Sequence, residues 1–393
     1  MATAIREIEL STPLTPIEDL GAHRRVMLVL RLRGRIVGRA FAEAPGGRID
    51  VAELSRLVED ANSWPLWETW LHDELHWDQR ASAGTPRPTA TVAICTRERP
   101  EDLARTLAGV MALDYEGHDV MVVDNAPLSD RTRRVVSQYA RVRYVVEPRP
   151  GLNIARNRAL SEARGEIVAF TDDDAVPEPG WLAALVANFG DPRVLCVTGL
   201  TLPIELETDA QELFEEHCSF ARGFLRHVFD GQRDNPLHVG PVGAGANMAV
   251  RRGIVARVGA FDERLDGGTP ARSGGDHEMF TRILGAGYQI VYDPAAVSWH
   301  RHRRTNEQLL STVHGYGVGV YAMWTKLLLE RRELGVLKLA WLWFRHGHLP
   351  VLLRRLCGRP QRTTALVIAE IRGCLRGPAA WFAASRQSRM AGR

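Results

Sequence analysis

Three consecutive carboxylates, Asp172, Asp173 and Asp174, follow directly on the apolar run "EIVAF" in "EIVAFTDDDAVPEPGW". Two like charges about 4 Å apart repel by roughly 4 kcal/mol at an effective dielectric of ~20. Solvation in a turn, backbone donors or a bound cation can offset that cost. A hard divalent ion such as Mg²⁺ or Mn²⁺ takes one or two carboxylates together with phosphate oxygens and water. Beside a nucleoside diphosphate it neutralises charge developing on a departing diphosphate. A second acidic group, Asp276 and Glu278 in "SGGDHEMF", follows the Gly-rich stretch "ERLDGGTPARSGGDH". The Gly-rich stretch is a candidate lid.

The elements that must hold these residues alternate. "TVAIC" (91–95), "DVMVVD" (119–124), "VRYVVE" (142–147) and "EIVAFTDDD" read as strands. Between them, helices are expected from Pro100, across "DRTRRVVSQYA" and across "NIARNRALSEA". Such β-α alternation predicts a parallel sheet covered by helices. Ligands of open sheets bind beyond the carboxyl ends of the strands. Thr96-Arg97, Asp124-Asn125 and the acidic triplet all fall at such ends. Asp124 and Asn125 suit the base or ribose of a nucleotide, and Arg156 and Asn157 in the third helix could orient nucleotide or carboxylates.

The ordered set "TVAICTRERPEDLARTL", "VMVVDNAPLSDRT", "EPRPGLNIARNRAL", "EIVAFTDDDAVPEPGWL", "GAGANMAVRR", "SGGDHEMFTRIL" and "YDPAAVSWHRH" resembles family 2 glycosyltransferases, over about 60% of the chain. The resemblance implies an α/β fold: a GT-A-type nucleotide-binding domain with a mostly parallel central sheet. It implies inverting transfer of a sugar from a nucleotide-diphosphate donor (UDP-, GDP- or dTDP-linked), with Mn²⁺ or Mg²⁺, to a glycan, lipid-linked or small-molecule acceptor. Carried over by motif, Asp172 and Asp174 are the metal-binding pair, completed by His300. Thr96, Arg97, Glu98, Asp124, Asn125, Arg156, Asn157, Asp172, Asp173 and Asn247 line the donor or sugar site. Asp276 holds the place of the base, close to Glu278; the family's Glu-Asp pair is broken here by Gly275, which leaves the base open between the two acids.

Domains are expected at 1–80 (a small α+β accessory unit with a hairpin around Arg33-Gly34), 91–325 (catalytic) and 326–393 (helical and basic), with 81–90 as a linker. The whole chain carries +3, but residues 300–393 hold 17 Lys+Arg against 4 Asp+Glu, so the last segment is +13 and the remainder −10. Its Trp, Leu and Arg at helical spacing suit an anionic membrane surface, and no nucleic-acid module is present. His302, His346 and His348 are expected on the surface of this basic segment. Five scattered cysteines, no apolar leader and no long uncharged apolar run suggest a cytoplasmic protein, peripheral at most on the inner membrane face. Rival readings are a sugar-phosphate nucleotidyltransferase, disfavoured because "CTRERPEDL" has no glycine, and a non-catalytic carbohydrate-binding protein on the same fold.

Overall fold

A computed structural model describes residues 2–18, 20–61, 63–75, 88–359 and 361–391. Most of the expected linker, residues 81–87, lies outside the described residues.

The N-terminal unit contains β1 (Thr3–Glu9), β2 (Arg25–Leu32), β3 (Arg35–Glu43), α1 (Val51–Ala61) and α2 (Ser63–Glu74). The expected hairpin is β2–β3, closed by Arg33 and Gly34 at φ 50° and 80°, the left-handed pair that a two-residue turn between twisted strands needs. Both faces of β2 are buried. Val26, Leu28 and Leu30 pack beneath α1, on Leu54 and Leu57. Met27 and Val29 join Leu200, Leu202 and Val297 of the following domain. The N-terminal unit is thus docked through a shared apolar core.

The second domain begins with β4 (Ala90–Thr96), α3 (Pro100–Met111), β5 (Asp119–Asn125), α4 (Arg131–Val136), β6 (Val142–Glu147), α5 (Leu152–Glu162) and β7 (Ile167–Asp172). The neighbours β7-β4-β5-β6 are all parallel. Then come β8 (Ala175–Pro177), α6 (Trp181–Val186), β9 (Val194–Pro203), α7 (Asp209–Cys218), β10 (His227–Asp230), β11 (Asn247–Arg251), α8 (Ile254–Val258), α9 (Gly275–Gly285) and β12 (Gln289–His300). β11 runs antiparallel between β7 and β9, and β12 is parallel to β9. Side chains alternate across the sheet as the two-residue period requires. Val92, Ile94 and Val122 face α3 and α6, whereas Ala93, Met121 and Val168 face α5 and α9.

Three further helices, α10 (Asn306–Arg331), α11 (Gly335–Trp343) and α12 (Leu349–Leu356), lead to α13 (Thr364–Ala391), with a π-helical turn at 344–348 between α11 and α12. α10 runs through the boundary expected at 325/326. It crosses α13 closely: a Cβ on Gly317 would stand 2.3 Å from the Glu370 carbonyl oxygen, and one on Gly373 2.1 Å from that of His314. Leu309 and Val313 of α10 and Leu366 of α13 share a core with Phe214. Among the described residues no helix is long and apolar enough to cross a membrane.

Candidate functional site

The parallel strands β4, β5 and β7 end together at one edge, and a cleft of about 960 Å³ opens there. β7 ends at Asp172, and Asp173 and Asp174 turn the chain into β8. β8 pairs antiparallel with β12, His300 opposite Ala175, and this register sets His300 beside Asp174. Its Nε2 lies 3.1 Å from Asp174 Oδ1. Asp172, Asp174 and His300 offer ligand atoms all within 4.8 Å of one another. Two hard carboxylates and an imidazole in that space fit a divalent ion such as Mn²⁺ or Mg²⁺.

The triplet is divided by its partners. Asp173 accepts from the Thr96 hydroxyl at 2.7 Å and from Arg99 Nη1 at 3.1 Å; its burial outweighs Arg99 and lifts its pKa to about 6. The same Arg99 nitrogen reaches Asp174 Oδ2 at 3.1 Å, and Arg303 approaches that oxygen at 3.4 Å. Burial alone would raise Asp174, but His300, Arg99 and Arg303 overcome it and hold this carboxyl well below the usual range. Asp172 is pushed up by burial and by the charge of Asp174. The repulsion between the Asp172 and Asp174 carboxylates is a cost that a cation would relieve.

A second cluster centres on Arg156, 4% exposed. Its Nη1 donates to Asp266 Oδ2 at 2.8 Å and to Asn153 Oδ1 at 3.1 Å, and Asp276 and Asp172 lie within its electrostatic reach. Asp276, at the start of α9, accepts from the N–H of Gly245 and of His277, each at 2.8 Å. Burial raises its pKa, but His277, Arg156 and these two donors more than compensate and keep it ionised below the usual range. Gly275 has no room for a side chain: a Cβ there would stand 2.2 Å from Asn153 Nδ2 and 2.7 Å from Asp266 Oδ2. Asp266, from the loop before α9, thus sets its carboxylate against Gly275. Asp266 is one of the few non-glycine residues in the left-handed region, at φ 77°.

Several expected site residues do other work. Glu278 is wholly buried and grips Arg282 Nε with both oxygens at 2.9 Å and Lys326 at 2.5 Å. It is therefore unable to meet an acceptor, and of the two candidate bases only Asp276 remains. Asn247, fully buried, accepts from the Trp181 indole and donates to the carbonyls of Leu200 and Ala296; it ties β9, β11 and β12 together rather than touching a sugar. Asn157 clamps the backbone of Phe261 on both sides. The Glu98 carboxylate accepts from Leu128 and Ser129 and organises that loop. Asn125 lines the cleft and uses its amide to fix Arg149 and Gly151. Asp124 accepts from the Tyr144 hydroxyl at 2.7 Å, while its buried Oδ1 makes no hydrogen bond among the described residues; its burial raises it. Arg97 is exposed at the cleft rim.

The cleft also has walls that the motifs did not reveal. The Gly-rich loop lines it from Asp266 to Ser273, and α10 lines it with Ser311, Gly315 and Tyr316. Phe214 and Phe220 close it behind the histidines. His302 and His348, expected at the surface, are buried and hydrogen-bonded to Glu215 and Glu370. Apolar spacing in α7 and α10 was the available signal for these walls, but it did not say which face meets the cleft.

Residues 91–259 match the model of glycosyl transferase family 2. Among curated proteins, the chain is 26% identical over 272 residues to a pre-mycofactocin glycosyltransferase of Mycobacterium tuberculosis, covering 68% of this chain and 51% of that protein. It is also 26% identical over 273 residues to the glycosyltransferase AglE of Haloferax volcanii, covering 67% of this chain and 82% of that one. The matched part thus spans about half the length of the mycobacterial relative. A solved mannosyltransferase of Pyrobaculum calidifontis, in complex with GDP-Man and Mn²⁺, aligns over 84% of this chain and 82% of its own with 20% identity and a TM-score of 0.44. Residues 91–259, which hold the parallel strands and Asp172–Asp174, thus match glycosyl transferase family 2, and these curated relatives of the chain are glycosyltransferases.

Proposed function

We propose that this chain is an inverting glycosyltransferase that moves a sugar from a nucleoside-diphosphate donor to an acceptor hydroxyl. The observation that carries the reading is a metal-type cluster (Asp172, Asp174, His300) lining the cleft, with an ionised, backbone-held acid (Asp276) behind it, Asp172 and Asp276 both lying within the electrostatic reach of Arg156. A cleft of about 960 Å³ is large enough for a nucleotide sugar. Arg97, Arg99, Arg272 and Arg303 on its walls suit a diphosphate.

In this mechanism the acceptor oxygen attacks the anomeric carbon as the bond from that carbon to the diphosphate oxygen breaks. The electron pair of the broken bond leaves with the diphosphate, and the hydroxyl proton passes to Asp276. Asp172, Asp174 and His300 would hold Mn²⁺ or Mg²⁺, which supplies charge neutralisation for the leaving group. Arg156 and the N–H groups of Gly245 and His277 favour the charged form of Asp276.

We also infer a peripheral site of action, on a membrane face, for a lipid-linked acceptor. Leu337, Trp341, Leu353 and Leu356, on α11 and α12, are 50–83% exposed and lie among the exposed Lys338, Arg345, Arg354 and Arg355. An apolar face rimmed by cations suits an anionic lipid surface.

The deciding experiment is a binding and transfer screen of UDP-, GDP- and dTDP-sugars with and without Mn²⁺ or Mg²⁺, on the wild type and Asp174→Ala. Metal-dependent binding of one donor, lost in the variant, is expected. If no donor binds either protein, the transferase reading fails.

A further inference from the structure

A buried hydrogen-bonded chain leads from the N-terminal unit to the candidate metal cluster. Arg39, on β3, donates from Nη1 to Glu215 Oε2 at 2.7 Å. Glu215, on α7, also accepts from the Ser219 hydroxyl at 2.8 Å, and its other oxygen lies 2.8 Å from His302 Nε2. The Nδ1 of His302 stands 3.1 Å from that of His300, and His300 Nε2 faces Asp174. The His302 side chain has no solvent exposure, and Glu215 and Asp174 have 4% each. Phe214 stacks on His302 with ring centroids 4.1 Å apart, and Phe220 packs edge-on against His300. Neither ring can turn away without opening this aromatic packing.

The chemistry of the chain sets the orientation of the last imidazole. An ionised Glu215 paired with Arg39 only accepts, so His302 Nε2 carries the proton of that contact. With one proton on a neutral His302, its Nδ1 is an acceptor, and the facing Nδ1 of His300 must donate. With Nδ1 committed as a donor, His300 Nε2, which faces Asp174 at 3.1 Å, is the nitrogen left to give up its proton and ligate a cation. Metal-bound histidines commonly donate their other ring nitrogen in this way, and loss of the outer partner typically weakens metal binding by 10–100-fold.

We propose that the N-terminal unit is part of the metal site: Arg39, acting through Glu215 and His302, fixes His300 as an Nε2 donor. Arg39, Glu215 and His302 are positioning residues, and the inference rests on the metal-site reading given above. It assigns residues 1–75 a role that reaches into the cleft from the far side of α7.

The test is the affinity of the full-length protein for Mn²⁺ alone, measured by electron paramagnetic resonance of the free ion. The variants are His302→Phe, Arg39→Ala, Arg25→Ala, and Asp174→Ala. Arg25 pairs with Glu212 at 3.4 Å, so it makes a contact between the same two units without touching the chain. The expected result is a dissociation constant raised about 10-fold or more by His302→Phe, raised several-fold by Arg39→Ala, and unchanged by Arg25→Ala. Near-ultraviolet circular dichroism confirms that each variant keeps its fold. Unchanged Mn²⁺ affinity in both His302→Phe and Arg39→Ala, with loss in Asp174→Ala, overturns the relay and leaves the metal site standing. Equal weakening by Arg25→Ala and Arg39→Ala assigns the effect to domain docking and also overturns it. If the wild type binds no Mn²⁺, the relay and the metal-site reading fall together.

Discussion

Replacing Glu278 by Gln and, separately, Asp276 by Asn separates a structural acid from the proposed base. Glu278 belongs to a closed ionic group beneath α9. Arg282 and Lys326 contact Glu278, Lys326 and Arg264 contact Asp262, and Arg264 also reaches Glu330. Three acids therefore face three bases, and Glu278 is the most deeply buried of them, with a fully inaccessible side chain. Neutralising it leaves one excess positive charge inside the protein. Removal of one partner from a buried pair costs about 3–5 kcal/mol. At roughly 2 °C per kcal/mol for a large domain, the melting temperature of Glu278→Gln should fall by about 6–10 °C. At a temperature well below that transition, the folded variant should retain most of its transfer activity. Asp276→Asn keeps side-chain shape at a partly exposed position and should shift the transition by only about 1–2 kcal/mol. Its transfer rate should fall by about 10²–10⁴, the usual contribution of a general base. Thermal unfolding followed by circular dichroism, paired with sugar transfer to an acceptor under saturating donor, reads both quantities. A stable Glu278→Gln that has lost two or more orders of magnitude in rate, or an Asp276→Asn that turns over normally, would refute the assignment.

Three other outcomes follow from the geometry. Gly275→Ala puts a methyl into space held by Asn153 and Asp266; overpacking should cost about 1–3 kcal/mol, and kcat should drop as Asp266 leaves Arg156, so a variant with wild-type kcat and stability counts against the role given to Asp266. Burial lowers the pKa of His217 despite Glu370 nearby, and His348 adds to the lowering. The folded chain therefore holds this ring neutral where the unfolded chain binds a proton, and its contribution to stability is present above about pH 6.5 and lost as pH falls below it; melts between pH 8 and 5.5 should show a shallower pH slope in His217→Gln, and an identical slope would remove His217 as the cause. Trp341→Glu combined with Leu353→Glu should abolish sedimentation with vesicles containing anionic lipid while leaving turnover of a water-soluble acceptor intact, and equal sedimentation of variant and wild type would remove α11 and α12 as the membrane face.

The parallel half of the sheet was legible because each of its strands is a short apolar run closed by polar residues, with a helix-spaced segment after it. β6 occupies 142–147 and β5 119–125, close to the spans read from pattern. The triplet and its position at a strand end were legible for the same reason, as was His300 from its motif. Motif order could not distinguish Asp276 from Glu278, because the two positions of spacing between them on a helix turn their side chains about 200° apart. Asp276 meets the N–H of Gly245, while Glu278 turns inward to Lys326, a residue 48 positions away. Asn247, Asn157 and Glu98 sit in motif positions, yet their hydrogen bonds go to backbone that the motif does not contain.

Local sequence determined what local physics can encode: the strand and helix periods, the turn at Arg33-Gly34, and the concentration of carboxylates after β7. Tertiary structure alone decided which charges meet. The β8–β12 register brings His300 to Asp174, the left-handed turn at Asp266 returns a carboxylate to the vacancy beside Gly275, and the docking of β3 on α7 places Arg39 on Glu215. The first and last of these contacts join segments far apart in the chain. Their pairing is fixed by the packing of whole faces, so no short stretch of residues carries the information.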